Sequence, residues 1–309
     1  MSSEEEEDRI VKVPDGNGHT ITTKDVDGLY NLPPFPRLTT RMHNLKNFQA
    51  RETDVVVCAF LKCGTHWLWE VVSMIIHGGE ARLSDEPKEH YFLEMVDISA
   101  LDKSPSPRVL NTHLPVDWIP PEIFKKKCKI VKIFRNPKDA YTSLYYHLKG
   151  LATREYTGTW DGYFELMMKM ESKPGVRDYT NWFEFAHEWW KYSKTDSSVL
   201  TIMYEEMKRD PVSHVQKISD FLGQPLDQNV CMKIAKECRF ESMQAKKHDF
   251  LEKFIESSDK NIWRKGATGM YRKGAVGDWK NHFTVSQNER FDALIRECLK
   301  DCDMQLTYE

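Results

Sequence analysis

Four short runs of apolar and β-branched residues, each followed by a polar turn and a helical pattern, leave this chain few folds to choose from. They are Asp54–Phe60, Arg108–Leu110, Lys129–Phe134 and Val199–Tyr204. Continuous apolarity without alternation suits strands buried on both faces. Helical patterns follow at 68–77, from Pro137 onward, and at 180–194, 212–222 and 286–300. Proline suits a first helical turn, which strengthens the start at Pro137. Strands alternating with helices predict an α/β fold, a single domain with a central parallel sheet flanked by helices. Residues 1–20, which carry Glu4 to Glu7, are expected to be a mobile acidic tail, with the domain spanning 21–309. Within it, 241–271 is largely polar and aperiodic, as expected of a lid loop.

Composition narrows the function. Forty-four Lys plus Arg stand against 47 Asp plus Glu, a formal charge of -3. That balance argues against bulk nucleic-acid binding, so any anion must be held by a local cluster. The acidic start does not read as a secretory signal, and no apolar run approaches the roughly 18 residues of a membrane span. Seven scattered Cys without a paired CxxC set indicate neither a zinc site nor a disulfide framework, and are read as reduced thiols in the cytoplasm.

Ligands of open α/β sheets bind beyond the carboxyl ends of the strands, so the segments after each strand carry the functional signal. After the first comes Leu61-Lys62-Cys63-Gly64-Thr65-His66-Trp67 and then a helix, a P-loop-like anion cradle of backbone N–H groups with Lys62 adding charge. It is not a Walker A loop, because the first Gly and the Gly-Lys-Ser/Thr order are missing. The plain alternative is a solvated lysine in an ordinary turn. After the third strand comes Arg135-Asn136-Pro137-Lys138-Asp139, with Ser143 further along the helix. Arg135 suits bidentate phosphate recognition, or else forms a structural pair with Asp139. Near the C-terminus, Arg272-Lys273-Gly274 precedes Gly277-Asp278-Trp279, a flexible basic loop or a solvated turn. Three basic clusters favour a ligand with more than one phosphate. His113, just past the second strand, is placed to act as a general base near neutral pH, or is a half-buried structural histidine.

These residues resemble the cytosolic sulfotransferases, which move a sulfuryl group from 3′-phosphoadenosine 5′-phosphosulfate to a hydroxyl or amine. The resemblance covers roughly residues 30 to 305. It is carried most specifically by Arg135 to Asp139 with Ser143, and by Arg272-Lys273-Gly274-x-x-Gly277-Asp278-Trp279-Lys280. It implies that Lys62, Cys63, Gly64, Thr65 and His66 hold the 5′-phosphosulfate, with Trp67 beside the adenine. It implies Arg135, Ser143, Arg272, Lys273 and Gly274, with the neighbouring Tyr271, at the 3′-phosphate. Tyr204, Cys238 and Phe240 are implied at the adenine, His113 as catalytic base, and Lys62 and Asn111 at the reacting group. No metal is implied. Lys280, Thr284, Val285 and Glu289 match the family's dimerisation motif, Lys-x-x-x-Thr-Val-x-x-x-Glu. The span Ser286 to Glu289 also reads as a helix capping box. The acceptor is expected to be a small, largely apolar molecule, with His147, Tyr146 and Phe92 beside it. The aromatic run Trp182, Phe183, Phe185, Trp189 and Trp190 is expected to be core instead.

Five departures qualify the resemblance. Where the family's first loop usually reads Tyr-Pro-Lys-Ser-Gly-Thr-Thr-Trp, this chain has Leu61, Cys63 and His66. Cys238 stands where a threonine commonly meets the adenine. Asn111 stands where many members carry a lysine, so slower turnover is expected, and Asn111→Lys is expected to raise the rate. A serine commonly restrains the catalytic lysine where Cys63 stands. Competing readings are a non-catalytic protein that binds the nucleotide or a hydrophobic ligand, a related lyase that sulfates and then eliminates, and a small-molecule kinase.

Overall fold

The computed structural model describes residues 10–79, 88–172, 176–245 and 262–309. The strands are β1 (Ile10–Pro14), β2 (Thr20–Val26), β3 (Leu29–Leu32), β4 (Val55–Ala59), β5 (Val109–Thr112), β6 (Lys129–Phe134) and β7 (Val199–Met203). The helices are α1 (Leu38–Asn44), α2 (Thr65–Ile76), α3 (Ile98–Lys103), α4 (Pro121–Lys125), α5 (Pro137–Gly150), α6 (Trp160–Glu171), α7 (Trp182–Ser193), α8 (Tyr204–Arg209), α9 (Pro211–Phe221), α10 (Gln228–Glu237) and α11 (Val285–Cys298). The chain divides into two compact units, one of 40–135 and 191–252, the other of 1–39, 136–190 and 253–309.

The first unit is α/β. Its four strands lie in the order β5-β4-β6-β7, every neighbouring pair parallel. Every residue of β4 is buried, as a run of Val55, Val56, Val57, Cys58 and Ala59 with apolar packing on both faces requires. Helix α2 packs on β4 and β5 and is pinned there by Trp69 Nε1, which donates to Val109 O at 2.6 Å. Helix α9 packs on α2, α10 and β7. Below the sheet's amino ends, Arg108 and Asp54 form a fully buried pair. Its Nε donates to Oδ1 at 2.8 Å and its Nη2 to Oδ2 at 2.6 Å, with further bonds to Leu101 O and Gln49 O. The register sets Val57 against Asn111 and Val131, so the carboxyl ends of all four strands share one edge. The chain steps from β4 to β5 on one side and then returns past β4 to β6, which puts the topological switch at β4's carboxyl end.

The second unit pairs β1, β2 and β3 in an antiparallel sheet and carries α5, α6, α7 and α11. Its core is aromatic: Trp160 stacks near Tyr163, Phe164 and Phe283, and Phe291 lies against Tyr141, Phe183 and Phe283. Trp182, Phe183, Phe185 and Trp189 are buried, as expected of core. Trp190 instead donates from Nε1 to Asp303 at 2.7 Å.

Two expected boundaries change. The acidic tail does not reach residue 20, because 10–14 and 20–26 form a hairpin. Asp15 closes its turn by accepting from the N–H groups of Asn17 and His19, at 2.8 and 3.0 Å, and from the Tyr156 hydroxyl at 3.1 Å. The expected lid also has ordered ends. Residues 241–245 are helical, and 262–267 attach to the end of α5 through Ala152 N–H to Ile262 O and Arg264 N–H to Gly150 O. The remainder, 246–261, lies outside the described residues.

Candidate functional site

At the carboxyl end of β4 the chain turns through Lys62 and Gly64, both left-handed, with φ of 63° and 103°. A glycine is required at 64: a Cβ there would lie 2.8 Å from Tyr204 Cδ2. Gly64 caps α2, whose own bonding begins with Leu68 N–H to Gly64 O at 3.0 Å. The amides of the preceding turn therefore point out of the helix, as at any helix N-terminus. Thr65, at the first helical position, buries a hydroxyl that has no hydrogen-bond partner. A buried donor left in this way is matched by an anionic oxygen, so the loop fits a phosphate or sulfate group.

Arg135, six per cent exposed, follows β6 and donates to Lys62 O at 3.3 Å. Its guanidinium lies 4.7 Å from the Tyr204 ring centroid, and Trp67 meets the same ring edge-on at 5.4 Å. Tyr204, Trp67, Gly64 and Arg135 thus form one packed group after β4, β6 and β7. Asp139, the expected alternative partner of Arg135, is used in a way the spacing does not show. Its carboxylate accepts from Asn136 Nδ2 at 3.1 Å and from the N–H groups of Gly277 and Trp279 at 2.8 and 3.0 Å. Cys238 is buried with its Sγ 3.6 Å from Met74 Sδ, so its thiol is turned to core packing rather than to a ligand. Phe240 is half-buried just beyond α10.

His113 sits past β5 at the same sheet edge. Its Nδ1 lies 2.6 Å from Ala59 O, so Nδ1 carries the proton and Nε2 the lone pair. Burial, followed by the charges of Lys88 and Lys62, lowers its pKa to about 3 against the Ala59 hydrogen bond, which favours the charged form. The imidazole is therefore neutral at physiological pH, the state a proton acceptor needs.

Three residues that sequence reasoning missed surround it. Residues 88–94 run alongside β5, bridged at Phe92 and Asn111, with Leu93 N–H donating to Asn111 O at 3.0 Å. From this segment buried Glu94 accepts from His113 N–H at 2.7 Å and from the Thr112 hydroxyl at 2.9 Å. Lys88, one per cent exposed, brings its Nζ to 3.5 Å from Asn111 Oδ1, and Asn111 Nδ2 donates back to Lys88 O at 2.8 Å. Glu89 lies 3.0 Å from His66 Nε2 and 3.5 Å from Lys88 Nζ. Phe92, one of the expected acceptor contacts, is 5.0 Å from the His113 ring.

In the second unit Arg272 and Lys273 converge on one carboxylate, Asp278, at 2.6 and 2.7 Å, with His282 Nε2 at 3.4 Å. Burial opposes ionisation of Asp278, but hydrogen bonds from Lys273, Asn281 and Arg272 pull its pKa well below the usual carboxylate range. The Arg272 guanidinium lies over Tyr146 at 4.8 Å. Tyr146 therefore belongs to this basic cluster as much as to any acceptor pocket. His147 packs against Trp263 at 5.4 Å, and Ser143 is buried on α5. Gly274 is left-handed, with φ of 61°, two residues past Arg272. Among the described residues no group of three or more His, Cys, Asp or Glu is placed to hold a metal ion, and no helix is long and apolar enough to cross a membrane.

The sulfotransferase domain model matches residues 52–303, a span that takes in residues of both units. Human sulfotransferase 1C2 is 32% identical over 301 residues, covering 94% of this chain and 97% of that protein. Dog sulfotransferase 1B1 is 31% identical, covering 93% and 97%. Among solved structures, mouse sulfotransferase SULT7A1 complexed with PAP is 31% identical with a TM-score of 0.69, covering 91% of this chain and 96% of that one. A retinol dehydratase complexed with retinol and PAP, 20% identical with a TM-score of 0.72, shares the fold. Matched through its anion loop, its sheet and nearly its whole length, the chain belongs to the sulfotransferase family and is a sulfuryl-transfer enzyme.

Proposed function

We propose that the enzyme transfers a sulfuryl group from 3′-phosphoadenosine 5′-phosphosulfate to the hydroxyl or amine of a small, largely apolar acceptor, with His113 as base. The observation that carries this reading is the His113 imidazole, its Nδ1 fixed on Ala59 O so that Nε2 keeps its lone pair, at the sheet edge that also bears the Lys62–Trp67 loop. The donor supplies an activated sulfuryl group on a phosphate leaving group. His113 Nε2 takes the acceptor proton as the acceptor oxygen bonds to sulfur and the sulfur–oxygen bond to phosphate breaks. Lys62, with the amides and hydroxyl at 64–66, meets the charge left on the phosphate, so much of the acceleration comes from positioned electrostatics. The resemblance assigns Arg135, Ser143, Arg272, Lys273 and Gly274 to the 3′-phosphate and Trp67, Tyr204 and Phe240 to the adenine. Phe92, beside His113, supports an apolar acceptor.

Incubating the enzyme with sulfur-labelled donor and phenol, steroid, alcohol and amine acceptors tests the reading. A sulfated product and one equivalent of 3′,5′-bisphosphate are expected. Nucleotide binding without product on any acceptor supports the binding protein instead, and a dehydrated product supports the lyase.

The pH profile follows from the base. Because its pKa is depressed from 6.5 to about 3, kcat/KM should show no acid limb near pH 6.5 from this group. Stability carries the same signature. The unfolded imidazole takes up a proton below about 6.5 and the folded one does not, so stability falls as pH drops from about 6.5 toward 3. Chemical denaturation of wild type and His113→Gln across that range should show a steeper loss in the wild type.

A homodimer through 280–289 is also proposed. Val285 is 77% exposed at the start of α11, and Glu289 is exposed on the same helix. The capping box is formed by Thr284 and Gln287 rather than by Ser286 and Glu289, which leaves Glu289 without that structural duty. Val285→Asp is expected to convert a dimer to a monomer in light scattering. A cytoplasmic setting is also proposed, on the likeness to the cytosolic sulfotransferases.

A further inference from the structure

A lysine buried to one per cent exposure lies beside the imidazole of His113, and its place is fixed by the strand that carries the base. Lys88 is carried on the segment that pairs with β5, the strand that delivers His113. Its Nζ lies 4.5 Å from the Phe92 ring centroid, and that ring lies 5.0 Å from the imidazole. Glu89, 3.5 Å away and 38% exposed, meets Lys88 Nζ and is shared with His66 of the anion loop. Asn111 grips Lys88 twice, once at its carbonyl and once at its ammonium. The charge is therefore held in place, between the anion loop's histidine and the base, rather than left to swing toward solvent.

We propose that Lys88 is a catalytic cation of this enzyme, its ammonium meeting the negative charge on the oxygens of the sulfuryl group while His113 takes the acceptor proton. The assignment rests on the sulfuryl-transfer reading above. Asn111 is then a positioning residue: it orients Lys88 and does not itself carry the charge. This reverses the expectation drawn from sequence for Asn111→Lys. With Nζ already 3.5 Å from the Asn111 side chain, a second ammonium there crowds the first, and the single substitution should lower the rate rather than raise it.

The test compares wild type, Lys88→Met, Lys88→Arg, Asn111→Lys and the double variant Lys88→Met with Asn111→Lys. Rates are measured with 2-naphthol, 1-hexanol and a 3β-hydroxysteroid as acceptors, and 3′,5′-bisphosphate affinity by calorimetry. Lys88→Met keeps the length and fills the same space, and should lose about 10²–10³ in kcat, the usual effect of removing one preset electrostatic donor. Its bisphosphate affinity should change little, since the phosphate loop is untouched. Lys88→Arg should retain much of the rate. The double variant should regain a large part of what Lys88→Met loses, because it returns an ammonium to the same place by another route. The His113 imidazole, followed by NMR, should titrate at higher pH in Lys88→Met. It is faced by Lys88, Lys62, Glu94 and the Ala59 carbonyl, and only the first is changed.

An unchanged kcat in Lys88→Met overturns the proposal. So does a loss that the double variant fails to restore and that leaves the His113 titration in place, because that marks a purely structural lysine. A wild-type enzyme silent on every acceptor defeats the sulfuryl-transfer reading itself, which separates the two failures.

Discussion

Replacing His113 by Ala should lower sulfuryl transfer by about 10²–10⁴, the range of a lost general base, while 3′,5′-bisphosphate binds almost as before. The structure explains why the two effects separate. The backbone N–H of residue 113 keeps its bond to Glu94, so the end of β5 stays in register. The loop at 62–67 is held by Gly64, Tyr204 and Arg135, which follow β4, β7 and β6, whereas the imidazole follows β5. Steady-state kinetics with saturating donor, together with titration calorimetry of the bisphosphate, would check both halves. A variant with near wild-type kcat would remove His113 from the role of base. An equal collapse in affinity would make it a structural element of the nucleotide site.

Asp54→Ala should destabilise the enzyme by about 3–5 kcal/mol, the usual cost of stranding a buried charge. Arg108 is fully buried, with two of its nitrogens committed to the Asp54 carboxylate and two backbone carbonyls taking further hydrogens. Removing the carboxylate leaves a buried guanidinium beneath the Phe48 ring, 5.0 Å away, with the half-exposed Asp102 at 3.6 Å as a weaker counter-charge. The pair lies at the opposite ends of β4 and β5 from His113, so the surviving folded fraction should keep its KM. Urea unfolding followed by tryptophan fluorescence gives the stability, and a shift in midpoint much smaller than this would mean that water reaches the site. Replacing both residues by apolar side chains of similar volume should cost far less than Asp54→Ala alone.

The parallel sheet was legible because its four strands are short, continuous and β-branched, and their turns carry the charged residues. Asp54–Phe60 became Val55–Ala59, and Lys129–Phe134 was matched residue for residue. The antiparallel sheet was not legible. Ile10-Val11-Lys12-Val13 alternates, with only partial burial, directly after an acidic run, and its turn is closed by Asp15 reaching Tyr156, 141 residues away. The anion loop, Arg135 and His113 were readable from their places after strands. Lys88, Glu89 and Glu94 were not, since a single lysine or glutamate in an aperiodic stretch has no sequence signature. Their roles exist only because that stretch lies beside β5. The alternative pairing of Arg135 with Asp139 was a reasonable inference from spacing. What spacing could not show is that Asp139 also accepts from backbone amides 138 and 140 residues on.

The segment from Lys88 to Glu94 has one more consequence. β5 is the outermost strand of its sheet, and an outer strand with bare amides and carbonyls is a template for other chains. The stretch that delivers Lys88 and Glu94 is also what shields that border, through Phe92 and Leu93. Substitutions that loosen it should therefore lower solubility and turnover together, and selection for soluble expression would preserve the chemistry as a by-product.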